Sequence, residues 1–310
     1  MPQSLAFVFP GQGSQHLGML AELAESNPII QETFAEASEV LGYDLWSLTQ
    51  DGPEADLNQT DRTQPALLTA GVALWRLWQQ QGGAAPALMA GHSLGEYTAL
   101  VCAGAIDFKD GVNLVKLRGE FMQQAVPAGT GAMAAILGLA DDAIQAACEV
   151  AAEDEVVTPV NFNCPGQVVI AGNKAAVERA IEGCKAAGAK RAIPLPVSVP
   201  SHCVLMKPAA EKMAEALQAI EIKLPEIDVI QNVTAKKAVT VDELVDNLLA
   251  QLYSPVLWTE SALHMIEQGI ESTVECGPGK VLSGLNKKIH RPLNVVAINE
   301  PTGLEKALGA

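Results

Sequence analysis

The sequence predicts an α/β fold built on a parallel sheet, with a smaller α/β unit set into it. Three observations carry that reading. Short strands apolar on both faces alternate with helical segments at both ends of the chain, as they do where helices cover both sides of a parallel sheet. One such strand runs straight into a glycine-flanked serine turn and then a helix. The middle third changes to the order strand, helix, strand, strand, helix, strand.

Residues 4–9 form a continuous apolar run ended by Pro10-Gly11, which suits a central strand. Helical spacing follows over 17–42, and 64–80 reads as a strongly apolar helix. Residues 87–90 form a short strand leading into Gly91-His92-Ser93-Leu94-Gly95. Helices are expected over 96–105 and over about 110–125. In the middle third, strands are expected at 131–137, 157–163, 168–171 and 191–199, with helices at 141–151 and 174–187. That βαββαβ order fits a ferredoxin-like module. After Pro208 a strand at 229–233, a helix at 241–252 and a strand at 272–276 restore the first pattern. The expected boundaries are 1–127 with 199–310 for a discontinuous larger domain, and 128–198 for the inserted one.

Composition narrows the function. The chain has 310 residues, 49% hydrophobic, enough for a large core. No basic n-region precedes the first apolar run, and the longest apolar stretches fall short of a membrane span. A soluble, cytoplasmic protein without a membrane partner is expected. A net charge of −16 argues against nucleic acid, which needs a concentrated basic face. The six cysteines, Cys102, Cys148, Cys164, Cys184, Cys203 and Cys276, show no C-x-x-C pair, so neither a metal site nor a disulfide framework is expected.

Strand, G-x-S-x-G turn, helix is the context of a nucleophile elbow, with Ser93 as nucleophile and the Leu94 N–H as first oxyanion donor. Serine also needs a base. Among five histidines, His92 adjoins Ser93 and points elsewhere, His264 lies in a mixed helix, and His290 lies in a basic run. His16, after a glycine-rich turn, stays open. His202, at the exit of an apolar strand on proline-stiffened backbone, is the favoured base. Arg118 borders an apolar stripe of Leu114, Leu117 and Phe121, and an arginine there can clamp a carboxylate or simply reach solvent.

Several ordered segments together resemble the malonyl-CoA:acyl-carrier-protein transacylase family. They are Phe9-Pro10-Gly11-Gln12-Gly13-Ser14-Gln15, residues 91–99 around Ser93, Arg118, residues 161–172, residues 197–202, Gln251 before residues 253–258, and residues 275–279. The resemblance runs the whole chain. It implies an α/β-hydrolase-like domain with a ferredoxin-like insertion, and [acyl-carrier-protein] S-malonyltransferase activity in fatty-acid biosynthesis. It further implies Ser93 as the acylated nucleophile, His202 as general base and acid, and Gln12 and Leu94 as the oxyanion hole. Arg118 would hold the malonyl carboxylate, and Gln251 would orient His202 through its backbone carbonyl. Asn161 and Asn163 would line the substrate site. Malonyl-CoA and acyl carrier protein would be the partners of a monomer. No resident cofactor and no metal is implied, coenzyme A entering only as thioester substrate.

An acidic carrier protein meeting a chain of net charge −16 needs a local basic patch. The candidates are Lys280, Lys287, Lys288 and Arg291, with Lys190 and Arg191 in the small module. Three rival readings remain: a serine esterase or thioesterase of the α/β-hydrolase type, an acyltransferase serving a polyketide carrier protein, and a non-catalytic scaffold.

Overall fold

The computed structural model describes residues 4–197 and 199–309. The first part of the chain runs β1 (Leu5–Phe9), α1 (Ala21–Ser26), α2 (Pro28–Leu41), α3 (Leu45–Asp51), α4 (Glu54–Leu57), α5 (Thr60–Gln80), β2 (Leu88–Gly91), α6 (Leu94–Cys102) and α7 (Phe108–Ala125). The middle runs β3 (Gly131–Leu137), α8 (Asp141–Ala152), β4 (Val157–Cys164), β5 (Gln167–Asn173), α9 (Lys174–Ala186) and β6 (Arg191–Pro194). The last part holds α10 (Lys207–Gln218), β7 (Asp228–Ile230), α11 (Val241–Gln251), α12 (Trp258–Glu267), β8 (Ser272–Glu275), α13 (Val281–Ile289), β9 (Asn294–Ala297) and α14 (Pro301–Leu308).

Five strands form one parallel sheet in the order β7-β2-β1-β8-β9. The double-sided apolar run of β1 explains its central place. Phe7 and Phe9 face one core with α5, where Phe7 meets Trp75 and Trp78 edge-on at 5.2 Å each. Ala6 and Val8 face a second core with Trp258 and Leu285 of α12 and α13. The other sheet is antiparallel, in the order β4-β5-β3-β6, with α8 and α9 on one face. Its opposite face packs Met133 and Val160 against Cys203, beside the larger sheet's strand ends. Among the described residues no helix is long and apolar enough to cross a membrane. All six cysteines are free, and five are buried.

Several sequence expectations shift. The helix expected over 17–42 is two helices, because Asn27 precedes a proline and is held extended (φ −130°, ψ 90°). α5 begins at Thr60, a turn early, which draws Gln64 into the interior. α6 begins at Leu94 rather than 96, so the Leu94 N–H lies among the unpaired donors of a first turn. The strand expected over 191–199 stops at Pro194. Leu195 N still reaches Met133 O (2.9 Å), but Pro196 has no N–H to continue the ladder. Position 198, where the inserted domain was expected to end, lies outside the described residues, as do 1–3 and 310. The strand expected at 229–233 ends at Ile230, leaving Gln231 and Asn232 at its carboxyl end.

Candidate active site

In an open parallel sheet the carboxyl ends of the strands collect the functional groups. Here Phe9, Gly91, Ile230 and Glu275 close four neighbouring strands, and the serine turn follows Gly91. Ser93 has φ 53° and ψ −110°, a conformation that costs a non-glycine residue about 1–3 kcal/mol and persists only when its surroundings enforce it. The enforcement is visible. A Cβ on Gly95 would lie 2.0 Å from Phe9 O, so only glycine lets the turn seat on the end of β1. The Ser93 N–H donates to Asn232 Oδ1 (2.7 Å), while Asn232 Nδ2 donates to Gly91 O (2.6 Å).

Ser93 Oγ lies 2.7 Å from His202 Nε2. His202 Nδ1 lies 2.6 Å from the backbone carbonyl of Gln251, and its backbone N–H donates to Leu252 O (3.0 Å). A carbonyl can only accept, so Nδ1 carries the proton and Nε2 is the free base facing the serine hydroxyl. Burial first, then the nearby Arg118 charge, lower the His202 pKa to about 3. The imidazole is therefore neutral and able to take the hydroxyl proton. Among the described residues, the group behind it is this carbonyl and not a carboxylate.

Arg118 lies inside the buried stripe of α7 rather than beside it, between Val115 and Met122, whereas Leu117 and Phe121 are half-buried. Gly119 makes this seat possible, since a Cβ there would lie 2.6 Å from Asp61 Cα at the start of α5. The guanidinium is 1% exposed. It donates to Gln64 Oε1 (2.8 Å), Gln251 Oε1 (2.9 Å) and Ser93 Oγ (3.2 Å), while its Nε has no partner. Among the described residues no carboxylate reaches it within ion-pair distance. Burial pulls its pKa down from the ordinary arginine value. It is a buried cation with neutral acceptors, beside a nucleophile.

A pocket of about 120 Å³ opens over this group, lined by Gln12, Leu94, Arg118, Met133, Asn161 and His202 among others. Asn163 is turned to His92, its Oδ1 accepting from His92 Nε2–H (2.8 Å). His92, ruled out as base, is thus tied to β4, with its ring 5.7 Å from that of Trp258. The His16 ring Nδ1 lies 3.3 Å from Ser14 O.

Known proteins identify the family to which this geometry belongs. The family model described as "Acyl transferase domain" matches residues 6–297. The malonyl CoA-acyl carrier protein transacylase of Escherichia coli (strain K12) is 65% identical over 303 residues, spanning 98% of each chain. The chain belongs to the malonyl-CoA:acyl-carrier-protein transacylase family. An acyl carrier protein S-malonyltransferase from Vibrio cholerae superposes with a TM-score of 0.96 at 62% identity, covering 98% of this chain and 99% of that one. A malonyl-transacylase solved with a type II PKS acyl-carrier protein does so with 0.97 at 59% identity, again over 98% and 99%.

Within this transacylase fold, sequence reasoning missed four buried polar residues. Gln64 holds Arg118; Asn232 holds the Ser93 amide; Glu96 and Gln231 lie behind them. A signal existed for two of them. Glu96 is the one acid in an otherwise apolar or small-residue helix, and Asn232 follows a strand of the catalytic sheet at its functional end. Gln64 gave none, since a glutamine near a helix start reads as surface.

Proposed function

We propose that the chain transfers a malonyl group from malonyl-CoA, through a malonyl-Ser93 ester, to the phosphopantetheine thiol of an acyl carrier protein in fatty-acid biosynthesis. The observation that carries this reading is the buried, carboxylate-free Arg118 donating to the nucleophile's own oxygen. A guanidinium so close to Oγ suits an acyl group whose free carboxylate is one methylene from its thioester carbonyl. A longer diacid would overrun it, and a neutral acyl group would leave the cation unmatched.

In the first half-reaction Ser93 Oγ attacks the thioester carbonyl while His202 Nε2 takes its proton. The Gln12 and Leu94 N–H groups receive the developing oxyanion. Collapse breaks the carbon–sulfur bond, and His202 returns the proton to the departing coenzyme A sulfur. The second half-reaction reverses these steps with the carrier thiol as nucleophile. Arg118 grips the carboxylate throughout, and Asn161 with Asn163 borders the acyl-binding side. The steps use only side chains and backbone N–H groups of one copy and the two thiol partners, which favours a monomer without a resident cofactor. Malonyl-CoA as donor favours the cytoplasm.

The same reading takes the larger unit as α/β-hydrolase-like, from its elbow after a parallel strand. It takes the smaller one as ferredoxin-like, since β4-β5-β3-β6 is the order a βαββαβ chain adopts in that fold, with the chain divided near 127 and 199. Carrier docking falls to a basic strip that crosses between the units. Lys190 lies over Gly138, Gly138 N bonds Gly166 O (2.8 Å), and Lys288 Nζ reaches Gln167 Oε1 (3.3 Å). Arg191 and Arg291 are exposed nearby in sequence, and Lys287 is partly occupied by Leu293 O (2.9 Å). Leu137 is four residues along β3 from the pocket residue Met133, which sets the strip about 13 Å from the pocket. The relative solved with a polyketide carrier favours such a carrier as a second acceptor.

Intact mass after brief mixing with malonyl-CoA tests the reading. A malonyl adduct that disappears in Ser93→Ala is expected. Free malonate without an adduct, and without transfer to carrier protein, would replace it with hydrolysis.

A further inference from the structure

Glu96 is a puzzle in the core. It is 0% exposed on α6, whose neighbouring residues are apolar or small, and among the described residues it has no ion pair. Burying a carboxylate without a cation costs several kcal/mol, where leucine or alanine would cost nothing. Its bonds show where it acts. Oε2 accepts from Asn232 N (2.9 Å) and Gln251 Nε2 (2.9 Å), and Oε1 accepts from Gln231 Nε2 (3.3 Å).

The two residues on Oε2 are those that hold the reacting pair. Asn232 receives the Ser93 N–H and clasps Gly91 O. Gln251 supplies the carbonyl behind His202, and its side-chain Nε2 also donates to Ser93 O (3.0 Å). The Gln251 amide lies between unlike charges, with its NH₂ toward Glu96 and its oxygen toward Arg118. Turned over, it would set its oxygen against a carboxylate and its NH₂ against a guanidinium. Only one orientation is electrostatically allowed, and that orientation pins the end of α11 to the elbow.

We infer that Glu96 is a positioning residue for acyl transfer, orienting Gln251 and Asn232 so that His202 and Ser93 meet at bonding distance. The inference rests on the acyl-transfer reading of the site. Glu96 touches neither Ser93 Oγ nor His202. The groups facing it are Arg118 from α7, Tyr97 on its own helix, and neutral amides from the β7 end and α11. Burial outweighs those three N–H donors and lifts its pKa to about 7.

The test uses a fluorophosphonate, a neutral serine probe that needs no carboxylate grip, on the full chain. Labelling of Ser93 is followed by intact mass, with the melting temperature measured alongside. Glu96→Gln keeps the volume but removes the charge that orders the amide. It is expected to slow both fluorophosphonate labelling and malonyl acylation by up to about 10²-fold. The loss should appear in kcat, with KM for malonyl-CoA within about twofold. Gln251→Ala should slow labelling similarly, and the double variant should be no slower than the slower single one. Wild-type labelling rates in Glu96→Gln, or independent multiplying losses in the double variant, overturn the inference. If Glu96→Gln does not fold, an unchanged labelling rate in Gln251→Ala overturns it. Wild type that takes the probe but never malonyl would instead break the acyl-transfer reading.

Discussion

Replacing Arg118 with methionine separates its role in selectivity from any role in folding. The guanidinium is 1% exposed and holds Gln64 and Gln251 through their side-chain oxygens. A substrate carboxylate bound to it would form a pair removed from water. Deleting one partner of such a pair costs about 3–5 kcal/mol. At about 1.36 kcal/mol per decade, kcat/KM for malonyl-CoA should fall roughly 10²- to 10⁴-fold. Acetyl-CoA makes no such pair and should lose nothing, so the malonyl-to-acetyl ratio should fall by at least that factor. Stability should change far less. Two amide oxygens lose a donor, at about 1–3 kcal/mol each, while an expensive buried charge is removed. The melting temperature should therefore move by only a few degrees. Rapid-quench intact mass with each thioester, on wild type and Arg118→Met, measures the ratio directly. A variant that still prefers malonyl as strongly as wild type would refute the carboxylate grip.

Further predictions concern protons, packing and docking. The folded His202 value of about 3 lies below its ordinary 6.5, so the unfolded chain binds the extra proton between them and stability falls as pH drops through that window. The folded Glu96 value of about 7 lies above its ordinary 4.5, so the folded chain holds the extra proton and stability falls as pH rises from 4.5 to 7. The two slopes oppose each other, and Glu96→Gln should make the urea midpoint fall more steeply on acidification from 6.5 to 4.5 than in wild type; equal slopes would count against it. Gly95→Ala drives a Cβ to 2.0 Å from Phe9 O, a backbone atom that cannot rotate away. It should lower the melting temperature by roughly 5–10 °C and abolish Ser93 acylation. Reversing Lys190 and Lys288 to glutamate should slow malonyl transfer to carrier protein about tenfold while sparing acylation from malonyl-CoA, as stopped flow of each half-reaction would reveal.

The architecture was readable wherever local chemistry and tertiary context agree. The double-sided apolar run before Pro10 became the central strand, and Gly91 and Gly95 framed the elbow, because only glycine tolerates those approaches. The βαββαβ order survived because each apolar segment had its own period. Reading failed where long-range contact decides. Nothing local showed that α5 would start early enough to bury Gln64, whereas Pro196, which lacks the N–H to continue the ladder, was a local signal for the end of β6. The spacing of Leu114, Leu117 and Phe121 sets Arg118 at the border of a stripe; the helix buries it, and Gly119 lets α7 approach α5 closely enough to do so. Polar residues in a core are recognised by their partners. Asn232 and Ser93 are 139 positions apart, too far for any periodicity to pair them.

Gln251 explains why the base needs no acid behind it. Its backbone carbonyl fixes the His202 tautomer, while its side chain joins Arg118, Glu96 and the Ser93 carbonyl. An aspartate at the carbonyl's place would orient the imidazole equally well and stabilise its protonated form. It would also set a second anion close to the guanidinium to which the proposed mechanism assigns the substrate carboxylate, weakening that proposed grip. A neutral carbonyl orients without competing. The imidazole is then a weaker base, which matches transfer between two thiols of similar energy better than activation of water. The proposed nucleophile, base and anion grip are thus joined through one uncharged residue, and the nearby carboxylate of Glu96 faces the amide's NH₂ rather than the cation.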